Sequence, residues 1–147
     1  HKKCDKDRNF VSLEKFDMNR ESVGTKKFFD ILGNIIFTLT IGGVLVVDEL
    51  DSSLHPLMLA EIVELFNSYS NQKAQIIFNC QDIFLLMTKI LRRDQIWFTE
   101  KNQYGESSLY SLAEFKEGKG DQYFKDYLLG KYGAIPSLGD FTEIIGG

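Results

Sequence analysis

The pattern of apolar and polar residues predicts short strands separated by helices. Apolar residues recur at helical spacing over residues 26–40, which predicts a helix with a wide and mostly buried apolar face, and Gly42 ends that pattern. Val44–Val47 is a short aliphatic run, typical of a central parallel strand that is covered on both faces. A proline suits the first position of the next helix, which is predicted over residues 56–69.

The rest of the chain continues the same alternation. The pattern predicts strands over residues 10–16, 75–78, 95–100 and 107–112, and helices over residues 83–91 and 122–129. Alternating strands and helices predict an α/β fold, with a mostly parallel sheet flanked by helices. Trp97 lies within an apolar strand and is predicted to belong to the core.

Composition adds limits to this prediction. With 147 residues, 44% hydrophobic and 26% charged, the chain is typical of a soluble globular protein. Its net charge of -4 argues against a dedicated nucleic-acid binder and leaves a local contact with nucleic acid open. Two cysteines without metal-ligand spacing, no membrane span and no signal peptide together predict a cytoplasmic protein.

Acidic residues follow the aliphatic strand directly. Asp48 and Glu49 come after Val47, and Asp51 follows two positions later. In open parallel sheets, ligands bind beyond the carboxyl ends of the strands. An aspartate there can hold Mg²⁺, and a glutamate can polarise the water that attacks a γ-phosphate. The same pattern also occurs where the acids only form a turn or cap a helix.

Three segments together carry a family resemblance: "ESVGT" at residues 21–25, "DELDSSLH" at 48–55 and "IIFNCQD" at 76–82. They resemble, in this order, the signature sequence, the Walker B acids with the D-loop, and the strand before the switch histidine of ABC ATPases. The chain resembles, over nearly its whole length, the C-terminal half of bacterial AAA/ABC-type ATPases of the abortive-infection, Septu and OLD-like defence kind. It is also similar to the ATPase heads of SMC-like proteins.

The resemblance implies a C-terminal lobe of a P-loop NTPase that spans residues 1–147, with ATP and Mg²⁺ as cofactors. It implies these residues: Asp48 as the metal ligand, Glu49 and Gln81 in catalysis, and Ser22, Gly24, Thr25, Ser53 and His55 in nucleotide binding. A serine and a glycine at a helix N-terminus also suit a phosphate group on physical grounds. For His55, which precedes a proline, a role in helix capping or at an interface is favoured over metal ligation.

Two departures from the family pattern matter. Gln81 stands where the family carries a histidine, and glutamine can bond to a phosphate but cannot carry a positive charge. No G-x-x-x-x-G-K-[ST] motif occurs, so a cradle for the β-phosphate is missing. By resemblance, the P-loop lies on an N-terminal half of a longer protein, and its strand fits between residues 75–78 and 95–98.

The leading hypothesis is therefore an ATPase that forms a head-to-tail homodimer around its nucleotides and controls a nuclease or toxin effector. A second hypothesis is a nucleotide-gated scaffold with little turnover, which Gln81 favours. A third is a metal nuclease in which Asp48, Glu49 and Asp51 bind two cations. An OLD-like nuclease-associated ATPase is a further alternative, which the family resemblance implies.

Overall fold

A computed structural model describes residues 2–13, 17–116 and 122–136. The chain divides into two compact units, His1–Gln81 (unit 1) and Asp82–Gly147 (unit 2). Each unit has its own strands, helices and buried residues, and each is described by itself.

The described residues of unit 1 include four strands and two α-helices: β1 (Lys2–Cys4), β2 (Phe10–Leu13), α1 (Val23–Ile41), β3 (Val44–Val47), α2 (Pro56–Asn67) and β4 (Gln75–Phe78). Strands β1 and β2 form an antiparallel pair. Helix α1 ends at Gly42, whose φ of 70° is left-handed and suits a residue without a side chain.

Strands β3 and β4 are parallel neighbours, as the sequence predicts. Val44 lies opposite Gln75 and Val47 lies opposite Phe78, so both strands end at the same edge. The core of unit 1 draws on both helices and on the segments after β3. Its buried residues are Ile31, Ile35, Leu50, Leu54, Leu59, Ala60, Ile62, Val63, Phe66 and Ala74.

The prediction that β3 is covered on both faces is wrong for this chain. Val46 is 71% exposed, and Ile77 opposite it is 58% exposed. Side chains in a strand alternate between its two faces, so only one face of the β3–β4 pair is covered. Helix α1 also differs from its predicted burial, because Phe29 and Ile36 are exposed.

Unit 2 contains an antiparallel pair, β5 (Trp97–Lys101) and β6 (Ser107–Ser111), and a short helix, α3 (Tyr123–Leu128). Its core comprises Leu86, Ile96, Phe98, Leu112, Tyr123 and Tyr132. The predicted burial of Trp97 is wrong, since its side chain is 55% exposed. Phe98 takes the core position, and the alternation of the strand turns Trp97 to the opposite face.

The predicted helix over residues 83–91 is replaced by one 3-10 turn, Ile83–Leu86. The amide and the hydroxyl of Thr88 both bond to the carbonyl oxygen of Leu85. That carbonyl would accept from Lys89 if an α-helix continued, so the threonine ends the turn. Among the described residues, no helix combines the length and apolar character that crossing a membrane requires.

Candidate functional site

The carboxyl ends of β3 and β4 bring Asp48 and Asn79 together. Asp48 follows β3 directly, and Asn79 follows β4 directly. The side-chain amide of Asn79 donates to Oδ1 of Asp48 at 2.8 Å, and its oxygen accepts from the amide of Glu49. The main-chain oxygen of Asn79 accepts from Leu50 at 3.1 Å. One residue after β4 therefore bonds to three consecutive residues after β3.

Asp48 and Glu49 are both exposed, so their carboxylates are accessible from solvent. Glu49 has a φ of 48°, in the left-handed region that few residues other than glycine adopt. Its carbonyl oxygen accepts from Ser52 at 3.0 Å and from Nζ of Lys27, in α1, at 2.6 Å. The turn after β3 thus connects with the start of α1.

Gln81, at the predicted switch position, is held by a different acid. Its amide donates to Oδ2 of Asp51 at 3.0 Å, and its side chain is exposed. Asp51 therefore supports the main chain of the segment after β4. The described residues contain no group of three or more histidine, cysteine or acidic side chains arranged to hold a metal ion. Asp48, Glu49 and Asp51 therefore do not form such a group.

The segment that resembles a signature sequence forms the N-terminus of α1. Ser22 is the N-cap, and its Oγ accepts from the amide of Thr25 at 3.1 Å. The two hydroxyl groups are 2.8 Å apart and also share a hydrogen bond. Ser22 and Thr25 therefore have a structural role in starting the helix, whatever ligand they bind.

Gly24 lies against the segment that resembles a D-loop. A Cβ atom at Gly24 would be 2.4 Å from the carbonyl oxygen of Ser53, closer than any side chain can be accommodated without movement. Ser53 itself has a left-handed φ of 62°. The structure thus brings together two segments that are 29 positions apart in the sequence.

His55 is the N-cap of α2, and this confirms the capping interpretation. Its Nδ1 accepts from the amide of Leu57 at 3.2 Å, and Pro56 occupies the first turn. Since Nδ1 accepts a hydrogen bond, the neutral ring carries its proton on Nε2. The capping role accounts for His55 locally, and its predicted contact with nucleotide remains a prediction.

Comparison with known families matches residues 6–87 to the family described as "AAA domain, putative AbiEii toxin, Type IV TA system". This match covers more than half of the chain, which therefore belongs to that AAA family. Membership indicates a nucleotide-binding domain of the ATPase type. Searches of curated proteins and of solved structures returned no significant match.

Sequence reasoning missed Asn79 and Lys27. Asn79 could have been found, because it is the first residue after β4, as Asp48 is the first residue after β3, and both ends lie at one edge of the sheet. Lys27 gave no such signal. It is one of two adjacent lysines, and only the packing of α1 distinguishes them: Nζ of Lys26 bonds to Asn19, whereas Nζ of Lys27 bonds to Glu49.

Proposed function

We propose that this chain is part of a dimerising ABC-type ATPase that binds and hydrolyses ATP. One observation carries the proposal: two exposed acids follow β3 and are held by Asn79 at the end of the parallel neighbour β4. That edge is where nucleotides bind in open parallel sheets. Membership of the AAA family supports the same conclusion.

Asp48 is the proposed ligand for Mg²⁺, and it suits that ion. Mg²⁺ prefers oxygen ligands and is usually bound by one or two carboxylates, with phosphate oxygens and water completing the shell. Asn79 bonds to Oδ1 of Asp48, so this hydrogen bond leaves Oδ2 for the ion. Bound Mg²⁺ would neutralise charge on the phosphates.

Glu49 is the proposed residue that polarises the attacking water. In this reaction, water adds to the γ-phosphorus while the bond to the β-phosphate oxygen breaks, so that ADP and phosphate leave. A carboxylate at this position orients the water and draws its proton away. The exposed position of Glu49 is compatible with access by water and nucleotide.

The β-phosphate would be held by a P-loop half of the same protein. The exposed face of the β3–β4 pair, with Val44, Val46 and Ile77, supports this proposal, since exposed apolar faces commonly mark contact sites. Without a P-loop, this chain alone should bind ATP with about millimolar affinity at best. Calorimetry that finds micromolar binding to the isolated chain would contradict this expectation.

We propose further that Ser22, Gly24 and Thr25 contact the nucleotide of a second copy, with Ser53 and His55 at the same interface. A variant of Gly24 cannot test this, because any side chain there displaces the loop at Ser53. Ser22→Asp and Ser22→Asn form a better pair, since both residues cap helices well. Only the aspartate adds a charge that repels phosphate, so it alone should abolish ATP-dependent dimers in sedimentation experiments.

The proposed output is an associated nuclease or toxin in an anti-phage defence system of the cytoplasm. The toxin in the description of the matched family supports the association with an effector. The nature of the effector rests on the family resemblance alone, and contact with nucleic acid is left open.

The central experiment is Glu49→Gln in the full-length protein, with release of phosphate as the measurement. Turnover should fall by a factor on the order of 10² or more while ATP still binds. Glu64→Gln makes the same change on an exposed position of α2 and should leave turnover unchanged. Equal turnover in wild type and Glu49→Gln would refute the catalytic role.

A second candidate function is a nucleotide-gated scaffold with little turnover. Gln81 favours it, because an uncharged side chain stands at the position where a histidine is expected. The same measurement separates the two candidates. A scaffold would bind ATP and dimerise, yet wild type would release phosphate no faster than Glu49→Gln.

A further inference from the structure

The main chain of Glu49 is held in an unfavourable conformation by two side chains from other segments. Its φ of 48° is left-handed, a conformation that persists only where neighbouring groups stabilise it. Oδ1 of Asn79 accepts from the amide of Glu49, and Nζ of Lys27 donates to its carbonyl oxygen at 2.6 Å. Both polar groups of this residue's main chain are therefore bonded to a side chain.

Asn79 is chemically suited to this position. Its side chain accepts from Glu49 and donates to Oδ1 of Asp48 at 2.8 Å. These two bonds fix the orientation of the amide, because only the nitrogen can donate and only the oxygen can accept. An aspartate would lose the donor and add a negative charge beside Asp48, and an alanine would lose both bonds.

Lys27 supplies the second contact and links Glu49 to α1. The side chain is half-buried, unlike a lysine that is fully solvated. It lies about one helical turn after Ser22, the N-cap of the same helix. A displacement of the start of α1 would therefore pull on the carbonyl group of Glu49.

We propose that Lys27 and Asn79 are positioning residues for the reaction of Glu49. They hold its main chain in the left-handed conformation, so that the carboxylate keeps one place relative to Asp48. This inference rests on the proposed function. Neither residue needs to touch ATP, and so their loss should slow the chemical step more than it weakens binding.

Asn79→Ala tests the first contact, with Asn71→Ala as the matched control. Asn71 also forms several side-chain bonds in unit 1, to Phe66 and Ala74, at distances of 2.6 to 2.9 Å. In the full-length protein, Asn79→Ala should lower kcat at least about tenfold, with KM for ATP within about threefold of wild type. Asn71→Ala should lower Tm while kcat of the folded protein stays unchanged.

Lys27→Met tests the second contact, with Lys26→Met as the matched control. Methionine keeps most of the side-chain length and removes the donor. Nζ of Lys26 bonds to Asn19 at 3.2 Å, so its loss removes a comparable bond outside the site. Lys27→Met should lower kcat at nearly constant KM, Lys27→Arg should restore most of it, and Lys26→Met should behave as wild type.

Several outcomes would overturn the proposal. Unchanged kcat in both Asn79→Ala and Lys27→Met would do so, as would equal losses in the test and control variants. If the wild-type protein hydrolyses no ATP, the proposed function fails by itself. Hydrogen exchange of the Glu49 amide in this chain then decides the positioning role: exchange should be at least about tenfold faster in Asn79→Ala, and unchanged exchange would refute it.

Discussion

In unit 2, aromatic rings pack on one another and their hydroxyl groups donate hydrogen bonds within the unit, whereas in unit 1 one face of α1 and one face of the β3–β4 pair keep large apolar side chains exposed. The ring of Phe98 stacks on Tyr127 and Tyr132, with centroids 5.7 Å apart in each pair. The ring of Phe115 meets Tyr132 edge-on at 5.0 Å. The hydroxyl of Tyr110 donates to the carbonyl oxygen of Tyr132 at 2.7 Å, and that of Tyr127 donates to Ala134 at 3.0 Å.

Unit 1 uses its apolar residues differently. Leu59 and Ile62 of α2 are almost fully buried. One face of α1 and one face of the β3–β4 pair carry large apolar side chains that are exposed. Their exposed residues are Phe29, Ile36, Phe37, Ile41, Val44, Val46 and Ile77. The unit that carries the candidate site thus has apolar faces that are exposed in this chain.

This difference separates two roles for hydrophobic residues. In unit 2, the aromatic cluster stabilises the unit itself, because its rings and hydroxyl groups find their partners there. In unit 1, part of the apolar surface adds little to the stability of this chain. It is available for contact with another segment, in agreement with the P-loop half proposed above.

The largest expected effect comes from the aromatic cluster. Phe98→Ala should lower the free energy of unfolding by about 3–5 kcal/mol, since it removes a large buried ring. Leu109→Ala, on the paired strand and 63% exposed, should change it by about 0.5 kcal/mol or less. Urea unfolding followed by the fluorescence of Trp97 measures both. Similar losses in the two variants would contradict the assignment of the core.

The next largest effect is the difference in unfolding free energy lost when two isoleucines of unit 1 are each replaced by alanine. Ile62 is 1% exposed, and Ile62→Ala should cost about 2–5 kcal/mol in urea unfolding followed by circular dichroism. Ile77 is 58% exposed, and Ile77→Ala should cost about 0.5 kcal/mol or less in this chain. In a longer protein that contains the P-loop, a clearly larger cost for Ile77→Ala would indicate that this face is covered.

These comparisons show what the sequence could predict. Local patterns were sufficient for α1, β3, α2 and β4, because the spacing of apolar residues and the glycine and proline signals agree there. Local patterns could not distinguish the covered face of a strand from its exposed face, since Val46 and Val47 are chemically the same and only one is highly exposed. The identity of the strand that pairs with a given edge is likewise a property of tertiary packing.

The candidate site shows the same division. Asp48 and Glu49 could be predicted, because acids directly after a short aliphatic run are visible in the sequence. The contact of Lys27 with Glu49 joins residues on two separate segments, and no local pattern reports it. The capping hydrogen bonds of Ser22 and His55 follow from short-range rules for the start of a helix.

A smaller effect should appear at alkaline pH in unit 2. Burial, followed by the negative charge of Asp126, raises the pKa of Tyr132 to about 12. The unfolded chain ionises near the ordinary value of about 10. Because the fold favours the neutral phenol, this stabilisation is complete below pH 10 and is lost as the pH rises towards 12.

Tyr132→Phe should therefore reduce the alkaline loss of stability, since phenylalanine keeps the ring and cannot ionise. Tyr104→Phe is the control, because Tyr104 is 81% exposed. Urea midpoints measured between about pH 9 and pH 12 should fall less steeply in Tyr132→Phe than in wild type and the control. Identical slopes in all three proteins would argue against a buried phenol at position 132.

The smallest expected effect lies at acidic pH and concerns Asp126. The hydrogen-bonded ammonium group of Lys131, 2.7 Å from Oδ1, holds the pKa of this carboxyl below its usual value, and the hydroxyl of Tyr132 acts in the same direction. The fold thus favours the ionised form. The stabilisation is present above the ordinary pKa of about 4 and is lost as the pH falls through the lower value of the folded state.

Asp126→Asn should lower the urea midpoint at pH 7 and reduce its further decrease below about pH 4. Asp30→Asn, at an exposed position of α1, should keep the wild-type dependence. If Asp126→Asn retained the full acid dependence, the pairing with Lys131 would not contribute to the stability of unit 2.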